Sequence, residues 1–459
     1  MSLPSPSARG TLLTASLGFV VVLLDVSVVN VALDALRQEF ATDVAGLQWV
    51  INAYTLVFAA LLLTSGALGD RFGARRVFLL GLILFTLASA ACGLASSLAL
   101  LVIARLVQGL GAALLVPNSL SMLQQAFADR EQRSRAVGWW GACGGIALAA
   151  GPVLGGLLVM HVGWRSIFLI NLPIGLLGIY LTLRHVAQHG GSHRRSLDFW
   201  GQAAAILALA AMTMALTEAG SLGWEHWLVR GGLLLATVAT LGFIWIEARS
   251  PSPMMPLSLF RISTFTVASI AGVVVNFAYY GLIFVFSLFF QIQQHLSPQT
   301  TGLAFLPMTV ILMAVNVLAG RLITRIGARR LMTLGLVLAA LGYLLLMPVS
   351  IDGAYWLLVG PMLLAASGIA LMVPTMTNAT LSSVDASRAG IASGVLNSAR
   401  QIGGMLGVAV FGYLIRDTAA LPFMRGMHLS IGISVVFLLL GSVLCWIGIG
   451  PTSRTTGAG

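Results

Sequence analysis

Apolar runs long enough to cross a bilayer recur fourteen times along this chain, and that recurrence limits what it can fold into more than any other feature. A spanning helix needs about 20 consecutive apolar residues. A window of about 19 residues places such runs near 11–33, 47–69, 77–97, 99–124, 136–160 and 166–183. Two more lie near 199–217 and 229–246, and six near 264–290, 301–323, 331–349, 354–380, 388–415 and 427–449. Of the 459 residues 58% are hydrophobic and 8% charged, against roughly 25% charged in an ordinary soluble domain. That leaves too little polar surface to cover a core in water. The predicted fold class is all-α integral membrane.

The first run is too long for the apolar core of a cleaved signal peptide and carries Asp25 and Asn30, so it reads as a spanning helix. The chain has no Lys, and its arginines divide unevenly between alternate loops. With the N-terminus inside, eighteen fall on the inner side, among them Arg71, Arg75, Arg76 and Arg325, Arg329, Arg330. Five fall outside (Arg37, Arg165, Arg230, Arg416, Arg425), and Arg105 and Arg400 lie within spans. By the positive-inside rule both termini are cytoplasmic and the number of spans is even. The net charge of +11 is spread over many short loops, which points to membrane topology and not to nucleic acid. Cys92, Cys143 and Cys445 sit in apolar runs at no ligand-like spacing, so neither a disulfide framework nor a metal site is indicated.

The chain also repeats itself. GALGDRFGARR at 66–76 realigns with GRLITRIGARR at 320–330, 254 residues on. GAALLVP at 111–117 matches GIALMVP at 368–374, and SRA at 134–136 matches SRA at 387–389, at offsets of 257 and 253. Three matches in order predict two homologous six-helix halves, 1–186 and 263–459, around a two-helix insertion at 187–262. Parallel repeats of this kind place a site between the halves near mid-membrane.

Several segments then resemble one family. The loop after the second span reads Gly66-Ala-Leu-Gly-Asp70-Arg71-Phe-Gly73-Ala-Arg75-Arg76, similar to the G-x-L-a-D-r-x-G-r-r of the major facilitator superfamily. Arg105-Leu-Val-Gln108-Gly109-Leu-Gly111-Ala-Ala113 looks like its R-x-x-Q-G-x-G-x-A, and Gly151-Pro152-Val-Leu-Gly155-Gly156 like the G-P-x-x-G-G of its antiporters. Leu24-Asp25-Val-Ser-Val-Val-Asn30-Val-Ala-Leu33 and the 393–404 segment, with Asn397, Arg400 and Gln401, resemble its fourteen-helix drug:proton antiporter branch. The resemblance covers nearly the whole chain. It departs at Ser27, which replaces a Thr, at Asp34, where the branch often has Pro, and at Thr324, which replaces the acid in the second loop copy.

The resemblance implies a monomeric multi-pass protein of the bacterial inner membrane that exports hydrophobic, often cationic, small molecules against protons, with no cofactor and no metal. Asp25 lies deep in an apolar run, where a charge costs several kcal/mol. It is the candidate proton-coupling group; a hydrogen-bonded structural Asp is the alternative. Arg105 is its candidate partner, or a tether between helices. The resemblance makes Gly66, Asp70, Arg71, Gly73, Arg75 and Arg76 a conformational latch, although the arginines also serve topology. Gly151, Pro152, Gly155 and Gly156 form a kinked, close-packing run. Asn30, Gln108, Asn276, Asn378, Asn397, Arg400 and Gln401 are cavity candidates, with interhelical hydrogen bonding the competing explanation. Glu218, Glu225 and His226 read as a solvated external loop, and His185, His189 and His193 as an internal one. A specific metabolite or antibiotic transporter is the nearest rival. A membrane enzyme predicts a His, Asp or Ser cluster at one face, and a channel predicts pore-lining rings; the sequence carries neither.

Overall fold

In hydrocarbon, backbone groups must find their partners within their own segment, which leaves the helix as the economical solution for such runs. The computed structural model describes residues 6–127, 129–188, 198–385 and 388–450, and among them there is no strand. The first six spans are Pro6–Val28, Val44–Phe72, Ala74–Gly93, Leu98–Ala126, Arg130–His161 and the pair Ser166–Leu169 with Asn171–His185. Spans seven and eight are Phe199–Leu222 and Trp227–Arg249. The last six are Ser263–Leu288, Pro298–Ile326, Ala328–Leu345, Tyr355–Ser382, Ala389–Leu414 and Ala420–Gly448. Among the described residues thirteen helices are long and apolar enough to cross a membrane. Ala389–Leu414 has the length but is diluted by Asn397, Arg400, Gln401 and several glycines.

The first span does not end where its apolar run does. It tightens into a 3-10 turn over Val29–Ala32 and resumes as Leu33–Glu39, with Asp34 paired to Arg37 at 2.9 Å. Starts are capped by side chains, which satisfy otherwise orphaned N–H groups. Asp43 accepts from Gly46 N, Ser97 from Leu100 N and Asp129 from Gln132 N.

The two halves share their internal contacts. Gly73 and Gly327 end the second and tenth spans with φ of 92° and 84°, a conformation that suits glycine alone. A Cβ on Gly81 would stand 3.0 Å from Gly111 O, and one on Gly335 would stand 2.9 Å from Gly368 O. A Cβ on Gly111 would meet Phe85 N at 2.6 Å, and one on Gly368 would meet Ala339 N at 2.3 Å. Spans three and four therefore cross backbone to backbone as spans eleven and twelve do. Without a hydrophobic force between helices in lipid, such close approach holds them together.

Of the inserted helices, span seven packs along spans two and thirteen, and span eight packs on span seven. Gln202 donates to Ala60 O at 2.9 Å, and Thr213 Oγ1 lies 2.9 Å from Met405 Sδ. Both described ends of the chain lie on one side of the bundle, called the terminal side below.

Candidate functional site

Five helices of the first half meet at Asp25. Its carboxylate is fully buried; Oδ2 stands 2.5 Å from Arg105 Nη1, and Oδ1 accepts from Gln108 Nε2 at 2.8 Å and Asn171 Nδ2 at 3.0 Å. Arg105 also donates to Val50 O at 2.9 Å and to Gln108 Oε1 at 2.7 Å, and its guanidinium lies 4.3 Å from the centre of the Tyr54 ring. Gln108 reaches Ser89 Oγ at 2.8 Å. Taking the two charges out of water costs several kcal/mol each, and mutual attraction offsets that only when the remaining polar atoms are bonded too. Here both carboxylate oxygens are.

A cavity of about 440 Å³ lies between the terminal-side ends of the two halves. Spans two, four, five and thirteen line it, together with the 252–254 loop. Apolar residues such as Leu62, Val116 and Trp140 dominate the wall, and Asp70, Asn118, Asp198 and Asn397 add polar groups. Asp70 is exposed at the end of its helix, beside Arg71, while Gly69 leaves room for the Asn118 side chain, whose Oδ1 would stand 1.8 Å from an added Cβ. Arg75 donates to Leu183 O at 3.1 Å.

On the opposite side the halves are shut. Gln48 Nε2 donates to Val408 O at 2.8 Å and Ala409 O at 2.7 Å. Ser287 Oγ donates to Asn30 O. Within the first half a Cβ on Gly151 would strike Ser27 and one on Gly155 would come 3.0 Å from Val28 O, while across the seam one on Gly156 would come 2.5 Å from Pro298 O. Gly302 packs on Pro152 O in the same way, at 2.1 Å. Steps of seven residues stay on one helical face, so Gly145 and Gly138 continue the face of Pro152 toward the terminal side. There a Cβ would meet nothing within 4 Å, and none at Gly320 on span ten. The halves touch at one end and part at the other.

The remaining cavity candidates separate. Asn397 lines the large cavity and accepts from Arg400 Nη1 at 3.3 Å. Asn30 lines a void of about 10 Å³ between the halves, with Tyr279, Tyr280 and Pro152. Gln108 is not a cavity residue: it is fully buried in the ion-pair cluster. Asn276 is buried and spends its amide on Gly272 O of its own helix, at 2.8 Å, and Gln401 is half-buried. Asn378 is exposed and lines neither void. Glu218 is helical and accepts from Trp49 Nε1 at 2.7 Å, whereas a solvated loop was expected; His226 caps span eight. His189 and His193 lie outside the described residues, among which no group of three or more His, Cys, Asp or Glu could hold a metal. Asn171, Ser89, Asp198 and Glu247 were missed from sequence; an acid near the end of an apolar run is the one signal that could have found Glu247.

Two parallel six-helix halves around a void that is sealed at one end define the class, a multi-pass membrane transporter. The model of the Major Facilitator Superfamily matches residues 15–408, and the chain belongs to that family. The "Multidrug resistance protein Stp" of Mycobacterium tuberculosis is 40% identical over 405 residues, covering 88% of this chain and 75% of that protein. The "Methylenomycin A resistance protein" of Streptomyces coelicolor is 37% identical over 435 residues, covering 94% and 90%. In fold the chain is similar to a bacterial homolog of the human lysosomal transporter Spinster, with a TM-score of 0.70, 16% identity and coverage of 97% and 98%. A D-xylose–proton symporter aligns with a TM-score of 0.71, 16% identity and coverage of 96% and 98%.

Proposed function

We propose that this transporter exports hydrophobic small molecules, cations among them, in exchange for protons, as a monomer of the fourteen-helix drug:proton antiporter branch in a bacterial cytoplasmic membrane. The observation that carries the reading is the cavity at the terminal side, apolar with acidic groups in its wall and, among the described residues, no basic residue lining it. The arginine asymmetry supports a cytoplasmic terminal side, and in that orientation the void faces the compartment from which an exporter collects its cargo. Relatives named for multidrug and antibiotic resistance support the same direction. Alternating access then consists of closing the gap beside Gly138 and Gly145 and opening the seam at Gly156 and Pro298. Asp25 is the coupling carboxylate of this proposal, with Arg105 as its counter-ion. Asp70 and the adjoining arginines form the latch at the mouth, and the proton gradient replaces any cofactor.

A second reading, a dedicated exporter of one antibiotic, is favoured by relatives named for methylenomycin A resistance and for tetracenomycin C resistance and export. Purified protein in liposomes with an imposed pH gradient, tested on a panel of dyes and antibiotics, separates the two. Gradient-driven uptake of several unrelated compounds supports the first, and of one antibiotic the second. Uptake that ignores the gradient rejects proton coupling.

A further inference from the structure

Two carboxylates outside the Asp25 cluster converge at the base of the inserted helices. Glu247, near the terminal-side end of span eight, is 3% exposed. Its Oε2 accepts from Met255 N at 2.9 Å, and its Oε1 is buried with no hydrogen-bond partner. Asp198 caps span seven by accepting from Gly201 N at 2.8 Å through Oδ1, and its Oδ2 is buried without a partner as well. A Cβ on Gly201 would lie 2.9 Å from each of these two orphan oxygens, so they stand no more than twice that distance apart. Glycine is what allows both acids to reach the spot.

Buried acceptors without donors are rare, and two ionised carboxylates this close in a poorly solvated site do not both keep their charge. Among the described residues no cation is paired with either acid. Arg249 lies over the Trp245 ring at 4.5 Å, and Arg400 on span thirteen donates to Asn397. We propose that Asp198 and Glu247 hold one proton between them. The O–H of one acid donates to the carboxylate of its neighbour, which gives both orphan oxygens a partner and leaves the pair with a single negative charge. Asp198 lines the large cavity, so the proton is exchanged with water there. This site is separate from Asp25 and does not depend on the antiport reading, because it binds its proton in the resting protein.

Infrared titration of the purified protein tests it. The expected result is a protonated-carboxyl C=O band at pH 7 that disappears in Asp198→Asn and in Glu247→Gln and persists in Asp25→Asn. Asn is as good a helix cap as Asp, so Asp198→Asn keeps the start of span seven and carries the test even if Glu247→Gln does not fold. A band that survives in Asp198→Asn belongs to one isolated acid and overturns the shared proton, as does the absence of any such band in the wild type.

Discussion

Arg105 Nη1 stands 2.5 Å from Asp25 Oδ2, in a pair whose side chains are 2% and 0% exposed. Removing one member leaves the other charge buried alone, which costs about 3–5 kcal/mol, whereas removing both can be nearly neutral. Asp25→Asn and Arg105→Gln are each expected to unfold at clearly lower temperature in detergent, and Asp25→Asn with Arg105→Met to recover much of the loss. At a temperature where Asp25→Asn is folded, it should bind substrate yet release no proton on binding. Normal proton release there would move coupling away from Asp25.

Arg400 gives the contrast. It has Asn397 as an acceptor, its Nε has none, and it has no carboxylate partner among the described residues. Arg400→Gln breaks no ion pair, so its stability should stay within about 1 kcal/mol of wild type, where Arg105→Gln loses several. Equal losses in thermal unfolding would mean that Arg400 is paired in the membrane.

Asp70 is exposed at the cavity mouth. Asp70→Asn keeps size and removes charge, so insertion and unfolding temperature should be unchanged while transport in liposomes falls by roughly tenfold, the effect of about 1.4 kcal/mol on a barrier. Wild-type rates would leave this loop as a topology signal only.

The open and sealed ends differ in accessibility. In a Cys143→Ser background, Ser121→Cys in the cavity wall should react with an impermeant maleimide applied at the terminal side. Gln48→Cys, under the seal, should react from neither side. Rapid labelling at position 48 would show that the opposite end is open much of the time.

The twin crossings predict twin defects. Gly111→Leu and Gly368→Leu each force a side chain onto the backbone of the neighbouring helix, at Phe85 and Ala339. Overpacking of this kind costs about 1–3 kcal/mol, and the two variants should lose similar amounts in thermal unfolding. Gly141→Leu, where a Cβ meets nothing within 4 Å, serves as the neutral control.

Spans and repeat could be read from sequence because both are linear patterns: run length for the helices, and one recurring offset for Gly73 with Gly327. Asp25 and Arg105 were readable as two charges within spans, and their meeting was expected only if the two helices brought them together. The closure of the pair by Gln108, Asn171 and Ser89 was not readable, and Gln108 was expected in the cavity. The direction of a side chain depends on how its helix is rotated, and a soluble helix reveals that through its polar face. A helix apolar all round has no such mark, which is also why Asn378, on a helix as apolar as its neighbours, could not be distinguished from Asn397.

The inserted helices grip both halves at more than one height. Gln202 and Glu218 hold span two at Ala60 and Trp49, while Thr213 and Trp224 touch span thirteen at Met405 and Tyr413. Rocking one half against the other shears spans two and thirteen, so the insertion must slip along one of them or travel with the other. If the halves rock as proposed, the insertion sits like a damper across the moving seam, and altering it should change the pace of each cycle although it touches neither the buried ion pair nor the seal.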